Sequence, residues 1–338
     1  MDCKSALVLG LTLVLSACGD DAGGADTDTE GSSGAAPSTS GDSMSTSPTT
    51  AAEGSTSNTS PGSDTNEDET GNETSGADTT GGDDPVPVLP TPDGPCPEFA
   101  TGDLEFQPGE TGPRQARVYF DPSAGGGGPL VFWFHGTGGS AANSEDALDD
   151  LEAIVAMGGM LVMPYNDPAT GQFPWFLTST QREDDLHLMD EIVGCAAAGP
   201  GIDARHIHSA GFSAGALHTS QAALRRASYI ASTVPISGGI YSENTPSDAP
   251  DQVISSMIFH GGASDVAGGL QFDQSSEVFR SVIEARGGYA LMCNHGEGHF
   301  YTSDRHIAFD FMMAHPFGTT PSPFEEGLPS WVPSYCSQ

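Results

Sequence analysis

The sequence has very little positive charge. Its 338 residues include 46 acidic and only 10 basic ones, for a formal net charge of -36, and the one lysine is Lys4. Binding to nucleic acid through backbone phosphates needs a basic surface. The composition therefore excludes a nucleic-acid partner, and it also excludes electrostatic attraction to an anionic membrane surface.

Large apolar residues are also scarce, but only in one part of the chain. Residues 19–95 consist almost wholly of Gly, Ser, Thr, Ala, Asp, Glu, Asn and Pro, with 16 acidic residues and no Lys or Arg. Such a segment buries too little apolar surface to offset the entropy that is lost on ordering. We therefore expect a disordered acidic linker over 18–95 and one folded domain over 96–338.

The N-terminus lacks an apolar run long enough to span a membrane. Residues 5–17 form a 13-residue apolar stretch, which is short for a transmembrane helix but suits the core of a signal peptide. The stretch leads into Leu-Ser-Ala-Cys at 15–18, which resembles the lipobox of bacterial lipoproteins. The resemblance implies that 1–17 is a lipoprotein signal peptide, that Cys18 is lipidated, and that the exported chain is anchored to the bacterial cell envelope.

The folded domain has no C-x-x-C pair of the kind that binds zinc. Its cysteines are Cys96, Cys195, Cys293 and Cys336. An even number in an exported domain indicates two disulfides, with three possible pairings. A Cys96–Cys336 bridge is one possibility, since it would join the two ends of the domain and restrain fraying termini.

Strand-like apolar runs alternate with helix-like segments through the domain. The run Leu-Val-Phe-Trp-Phe at 130–134 is apolar throughout, which is typical of a strand buried on both faces. The predicted strands are 116–120, 130–134, 160–163, 206–210, 233–237, 257–260 and 289–293. The predicted helices are 144–157, 183–198, 214–226, 272–285 and 303–314. This alternation predicts a mostly parallel sheet with helices on both faces and a ligand site beyond the carboxyl ends of the strands.

A Gly-x-Ser-x-Gly motif at 211–215 lies between a predicted strand and a predicted helix. A sharp strand-to-helix turn leaves no room for Cβ atoms two residues on either side of its central residue, which accounts for both glycines. Ser213 would then be presented at the top of the sheet, over a helix N-terminus. The context predicts a nucleophilic serine; the alternative is a glycine-rich turn with an idle one.

A second glycine-rich segment, His-Gly-Thr-Gly-Gly, follows the predicted strand 130–134. Acyl transfer creates an oxyanion that needs preorganised hydrogen-bond donors. Backbone N–H groups near Thr137, together with the N–H of Ala214, are the predicted oxyanion hole. His135 is expected to hold the loop by a hydrogen bond rather than to act as a base. A phosphate-binding loop is a poorer interpretation, because the Lys-Ser/Thr ending is missing.

A nucleophilic serine needs a base, and the base needs a carboxylate to orient it. Asp265 and His299 lie in loops that follow two successive predicted strands, in the order acid then histidine. His299 is preferred over His295 because its glycine-flanked loop reaches further. Asp203 and the pair at 184–185 are the alternative acids, although they suit a turn and a helix start better.

The order of these motifs resembles that of the α/β-hydrolases, in particular secreted polyhydroxybutyrate depolymerases and feruloyl or acetylxylan esterase-like proteins. The motifs are HGTGG at 135–139, GFSAGA at 211–216, HGGASD at 260–265 and GEGH at 296–299. The resemblance covers most of 96–338. It implies the α/β-hydrolase fold, with Ser213 as nucleophile, His299 as base and Asp265 as its acid partner.

The activity implied by this resemblance is hydrolysis of carboxylic esters without a metal or organic cofactor. Polyesters, polysaccharide-linked esters and short-chain esters are the expected substrates, and a monomer is expected. About 19 residues separate Ser237 from Met257, which is too few for a folded cap domain, so the site should be open. The alternative function is a non-catalytic, surface-binding lipoprotein with a hydrolase-like domain.

Overall fold

The computed structural model describes residues 85–143, 151–171, 173–177, 183–242, 245 and 252–338. The predicted signal peptide, the predicted lipidation site Cys18 and most of the predicted linker lie outside these residues. Within the described part of the chain, no helix is both long and apolar enough to cross a membrane.

The apolar runs of the sequence form strands, and the segments between them form helices. The strands are β1 (Gly102–Phe106), β2 (Arg114–Tyr119), β3 (Leu130–Phe134), β4 (Met160–Pro164), β5 (Ile207–Phe212), β6 (Ser232–Ile236), β7 (Ser255–His260), β8 (Val266–Ala267), β9 (Leu270–Gln271), β10 (Tyr289–Asn294) and β11 (Cys336–Ser337). The helices are α1 (Leu151–Ala156), α2 (Asp184–Ala198), α3 (Ala214–Arg225), α4 (Phe272–Ala285) and α5 (Ile307–Ala314).

Nine of these strands form one sheet in the order β1-β2-β4-β3-β5-β6-β7-β10-β11. The six strands from β4 to β10 in this order pair in parallel. The edge strands β1 and β11, and β2 next to β1, are antiparallel to their neighbours. The prediction of a mostly parallel sheet is therefore confirmed.

Both faces of the sheet are covered, because alternate residues of each central strand point to opposite sides. In β3, Phe132 and Phe134 belong to one apolar core, and Val131 and Trp133 belong to the other. Helices α2, α3 and α4 contribute to the first core, and α1 and α5 to the second. This two-sided burial explains why β3 is apolar at every position.

The predicted boundaries of several elements differ from the observed ones. The predicted helix 303–314 is divided into a 3₁₀ turn, Ser303–His306, and α5. Thr302 caps that turn, since its hydroxyl accepts a hydrogen bond from the Asp304 N–H at 3.2 Å. Of the predicted helix 144–157, the described part is α1. Strands β1, β8, β9 and β11 were not predicted.

The disulfides correct the suggested pairing of the chain ends. Cys96 is bonded to Cys195 of α2, and Cys293 of β10 is bonded to Cys336 of β11. The suggestion of a Cys96–Cys336 bridge was wrong, because each of these two cysteines lies beside an element in the interior of the sequence. The second bridge instead joins paired residues of two neighbouring strands.

The eleven residues before the predicted domain start pack against the domain, and we call residues 85–95 the strap. The Val88 N–H donates to the Ser228 carbonyl at 2.9 Å. The N–H groups of Asp93 and Gly94 donate to the two carboxylate oxygens of Glu191 at 2.6 and 3.0 Å. The strap thus runs along α2 and leads into the Cys96–Cys195 bridge.

Candidate active site

The turn between β5 and α3 holds Ser213 in a rare backbone conformation. Its φ is 55° and its ψ is -120°, in a region that non-glycine residues seldom adopt. A Cβ at Gly215 would overlap the carbonyl oxygen of Phe134, and one at Gly211 would lie 2.7 Å from the backbone of Gly215. Both glycines are therefore required by the close approach of β3, β5 and α3.

A chain of two hydrogen bonds joins the three predicted triad residues. The Ser213 Oγ lies 3.0 Å from the Nε2 of His299, and the Nδ1 of His299 lies 2.8 Å from the Oδ1 of Asp265. A carboxylate can only accept, so the proton of the neutral imidazole belongs on Nδ1. Nε2 is then an acceptor, and it faces the serine hydroxyl.

The carboxyl group of Asp265 is fully buried and is held at both oxygens. Its Oδ2 accepts hydrogen bonds from the Ser237 hydroxyl at 2.8 Å and from the Gly261 N–H at 2.9 Å. Burial raises the pKa of Asp265, but the hydrogen bonds from His299, Gly261 and Ser237 outweigh burial and lower this pKa below its ordinary value. Asp265 therefore remains a carboxylate at neutral pH.

The loops that carry Asp265 and His299 are tied to each other. The Gly298 N–H donates to the Gly261 carbonyl at 3.0 Å, and a Cβ at Gly261 would overlap the carbonyl oxygen of Gly298. The Asp265 carbonyl in turn accepts from the N–H of Phe272 at 2.9 Å. These backbone contacts fix the distance between the two predicted triad residues.

Two aromatic rings stack on the imidazole of His299. The centroid of the Phe212 ring lies 4.9 Å from that of His299, and the centroid of Phe272 lies 4.7 Å from it, both in stacked orientations. Tyr301 stacks in turn on Phe212. The stacked rings thus restrict tilting of the imidazole plane, and the hydrogen bonds at both ring nitrogens restrict rotation of the ring within that plane.

Ser213 and His299 open onto a cleft of about 760 Å³. Thr137 and Ala214, the residues of the predicted oxyanion hole, line the same cleft. The β8–β9 hairpin, which directly follows Asp265, supplies part of one wall. The larger apolar side chains in the lining are Phe173, Phe212, Leu217, Leu270, Phe272 and Tyr301. The cleft therefore combines polar groups beside Ser213 with largely apolar walls.

The loop over 135–139 is held as expected for a structural histidine. The Nδ1 of His135 lies 2.9 Å from the Gly136 carbonyl, and the His135 carbonyl accepts from the Trp175 indole N–H at 2.8 Å. Burial lowers the pKa of His135, so the ring is neutral at pH 7. Its neutral form and its loop contacts fit a residue that shapes the cleft wall.

The alternative acid and base residues do not line this cleft. His295 accepts a hydrogen bond from the Glu297 N–H at 3.3 Å. The Asp203 carboxylate accepts from the Arg205 N–H at 3.0 Å, in the turn before β5. Asp184 and Asp185 begin α2, and Asp185 forms a buried ion pair with an arginine. Among the described residues, no group of His, Cys, Asp and Glu side chains is arranged to hold a metal ion.

Sequence reasoning missed three side chains that contact the predicted triad. Ser237 binds Asp265, and the rings of Phe212 and Phe272 stack on His299. Phe212 lies inside the Gly-x-Ser-x-Gly motif and Phe272 begins a predicted helix. The sequence pattern therefore predicted the local structure around these two residues, but not their contact with His299. For Ser237, the one available signal was its place directly after the β6 strand, before two glycines.

The order and the directions of the strands define the fold: the chain has the α/β-hydrolase fold. Neither a protein-family model nor a curated protein sequence matches it. Among solved structures, native pOPH is similar with a TM-score of 0.57 and 19% identity over 72% of this chain and 96% of that one. Native sOPH is similar with a TM-score of 0.55 and 18% identity over 74% and 96%. The Bacillus cereus carboxylesterase is more distant, with a TM-score of 0.44 and 16% identity over 61% and 96%.

Proposed function

We propose that the protein is a serine hydrolase that acts on carboxylic esters. The observation that carries the proposal is the unbroken hydrogen-bond chain from Ser213 through both ring nitrogens of His299 to the buried carboxylate of Asp265. A nucleophile, a base and an orienting acid in this order are the requirement for acyl transfer through a serine. Ser213 and His299, at one end of this hydrogen-bond chain, line the cleft, so a substrate carbonyl can approach the Ser213 hydroxyl.

The reaction proceeds in two acyl-transfer steps. Ser213 attacks the ester carbonyl while His299 Nε2 accepts the hydroxyl proton, and Asp265 stabilises the resulting imidazolium. The backbone N–H groups of Ala214 and Thr137 donate to the oxyanion of the tetrahedral intermediate. His299 then protonates the departing alcohol, which leaves an acyl ester on Ser213. Water attacks this ester with His299 as base, His299 returns the proton to the Ser213 oxygen, and the carboxylic acid is released.

The substrate is an uncharged ester of a polymer or of a short chain. The strongly acidic composition of the chain repels anionic polymers, and the largely apolar walls of the cleft favour uncharged groups on either side of the scissile bond. Polyesters of the polyhydroxybutyrate type and feruloyl or acetyl esters of polysaccharides meet both conditions. A screen of short polyhydroxyalkanoates, methyl ferulate and acetylated xylan discriminates between them.

Hydrolysis of p-nitrophenyl acetate and butyrate tests the reaction class. The chain should hydrolyse both esters, and Ser213→Ala should retain only the background rate. Ser256→Ala is the matched control, because it removes a fully buried serine hydroxyl that bonds to Thr233 rather than to the site. Equal rates for the parent and Ser213→Ala would refute the mechanism, and background rates for both would favour the binding-only alternative.

We also propose that the protein is exported and lipid-anchored through Cys18. Two disulfides within one domain support an oxidising compartment, and the Leu-Ser-Ala-Cys segment at 15–18 supports lipidation. Labelled palmitate should be incorporated into the parent chain and not into Cys18→Ala, and only the parent should partition into detergent. Equal labelling of the two chains would contradict the proposal.

A further inference from the structure

Ser237 follows β6 in a backbone conformation that carries strain. Two non-glycine residues have a positive φ in the part of the chain that the structure describes, Ser213 and Ser237, and the φ of Ser237 is 52°. This left-handed region is costly for a residue with a Cβ and nearly free of cost for glycine. The side chain of Ser237 must therefore contribute something that glycine would not.

The backbone around Ser237 is clamped on both sides. The Ser237 N–H donates to the Phe259 carbonyl of β7 at 2.8 Å. The next residue, Gly238, accepts a hydrogen bond from the Ser275 hydroxyl of α4 at 2.6 Å, and a Cβ on it would lie 2.5 Å from the Cβ of Ala216 in α3. The hydroxyl of Ser237 is consequently delivered to one place, between β6 and the loop after β7.

That place is the oxygen of Asp265 that does not face His299. The Ser237 hydroxyl donates to Oδ2 at 2.8 Å, beside the Gly261 N–H at 2.9 Å, while Oδ1 lies 2.8 Å from the Nδ1 of His299. A carboxylate bound at one oxygen alone can rotate about its Cβ–Cγ bond. Two donors on Oδ2 fix the plane of the group and so fix where Oδ1 meets the imidazole.

We propose that Ser237 is a positioning residue of the active site, which acts through Asp265 and never touches the substrate. The inference rests on the proposed ester hydrolysis. Ser237 lies wholly buried, as does Asp265, so water cannot replace the lost donor without rearrangement of the core. Removal of the hydroxyl should slow the chemical steps and leave the binding of the ester unchanged.

A series of three variants separates the hydroxyl from the backbone strain. Ser237→Ala removes the hydroxyl and keeps the strain, Ser237→Gly removes both, and Ser237→Cys keeps a weaker donor. With p-nitrophenyl butyrate, kcat should fall about 10- to 100-fold in both Ala and Gly, the range expected for loss of a hydrogen bond to a charged group. KM should stay within about twofold, and Cys should be intermediate. The thermal midpoint should be higher for Gly than for Ala.

Two results would overturn the inference. One is a Gly variant with the kcat of the parent, since the hydroxyl would then be dispensable. The other is a set of kcat values that follows the thermal midpoints, since the residue would then act on stability alone. The parent and Ser213→Ala are measured alongside: if neither hydrolyses the ester, the proposed function fails, whereas an active parent with unaffected Ser237 variants contradicts the positioning role alone.

Discussion

Acidification below about pH 6.5 should destabilise the domain, because two buried histidines resist protonation in the folded state. Burial lowers the pKa of His218 to about 4 and that of His315 to about 4, from an ordinary value of 6.5. The unfolded chain therefore binds more protons than the folded chain between these values, so stability falls as pH falls. Above pH 6.5 the two neutral histidines cost the folded state no stability. Between pH 6.5 and pH 4 the free energy of unfolding falls progressively as the unfolded chain takes up protons that the folded chain does not.

The size of the effect follows from the linkage relation. At pH 5 each of the two histidines costs about 2 kcal/mol relative to neutral pH, and the pair costs about 4 kcal/mol. This is a large part of the 5–15 kcal/mol that stabilises an ordinary domain. Burial also lowers the pKa of His208, which adds to the loss in the same direction. Protonation of Asp265, whose pKa is lowered, contributes only at still lower pH.

Urea unfolding at pH 7.5 and pH 5 measures this loss. His315→Gln should reduce the difference between the two free energies of unfolding by about 2 kcal/mol, whatever it does to the absolute stability. His187→Gln is the matched control, because that side chain is half exposed on α2, and it should leave the difference unchanged. Equal stability at the two pH values, or a His315→Gln variant with the pH dependence of the parent, would refute the reasoning.

Three further outcomes are expected. Asp265→Asn should lower kcat by roughly 10³- to 10⁴-fold with little change in the thermal midpoint. The reason is that an amide N–H₂ can take the place of the carboxylate oxygen that accepts from the imidazole N–H. A loss of kcat below tenfold would contradict the role of Asp265. Gly215→Ala should destabilise the domain by about 2 kcal/mol, since its Cβ would overlap the Phe134 carbonyl. Urea unfolding measures this loss. An unchanged urea midpoint would mean that the turn adjusts freely. Loss of the Cys96–Cys195 bridge, which spans 99 residues, should lower the free energy of unfolding by about 4 kcal/mol. Urea unfolding of a Cys96→Ser/Cys195→Ser variant measures this loss. A loss below about 1 kcal/mol would show that the strap and α2 already restrain this segment.

The central strands were predictable because burial dictated their composition. Every residue of β3 and β4 is buried, so nothing but apolar side chains fits there, and both were predicted within a residue of their observed ends. The edge strands carry no such constraint. In β1, exposed and half-buried positions mix, and β11 consists of two residues that pair with β10 beside a disulfide. Neither pattern differs from that of a loop.

The site was predictable as far as it depends on local geometry. Gly-x-Ser-x-Gly encodes a turn, and a turn can be read from five residues. The link from Ser237 to Asp265 joins positions 28 residues apart, and it depends on how β6 and β7 lie side by side. The disulfide pairing could not be determined from the sequence for the same reason, because chain order does not give distance in space. The Ser237–Asp265 contact and the Cys293–Cys336 bridge depend on which strands are neighbours in the sheet, and the Cys96–Cys195 bridge depends on how α2 packs; the sequence pattern determines neither.

The course of the strap determines where a mechanical load would enter the domain. Its first residues lie at the amino ends of the parallel strands: Val88 bonds to Ser228 in the turn before β6, and a Cβ at Gly318 would overlap the ring of Pro85. Ser213 lies at the opposite, carboxyl end of β5. A pull on the chain ahead of the strap is therefore taken up by its contacts with the turn before β6 and with α2, and then by the covalent bridge to Cys195. None of these contacts involves the turn that carries Ser213, so a load on the strap would enter the domain away from that turn.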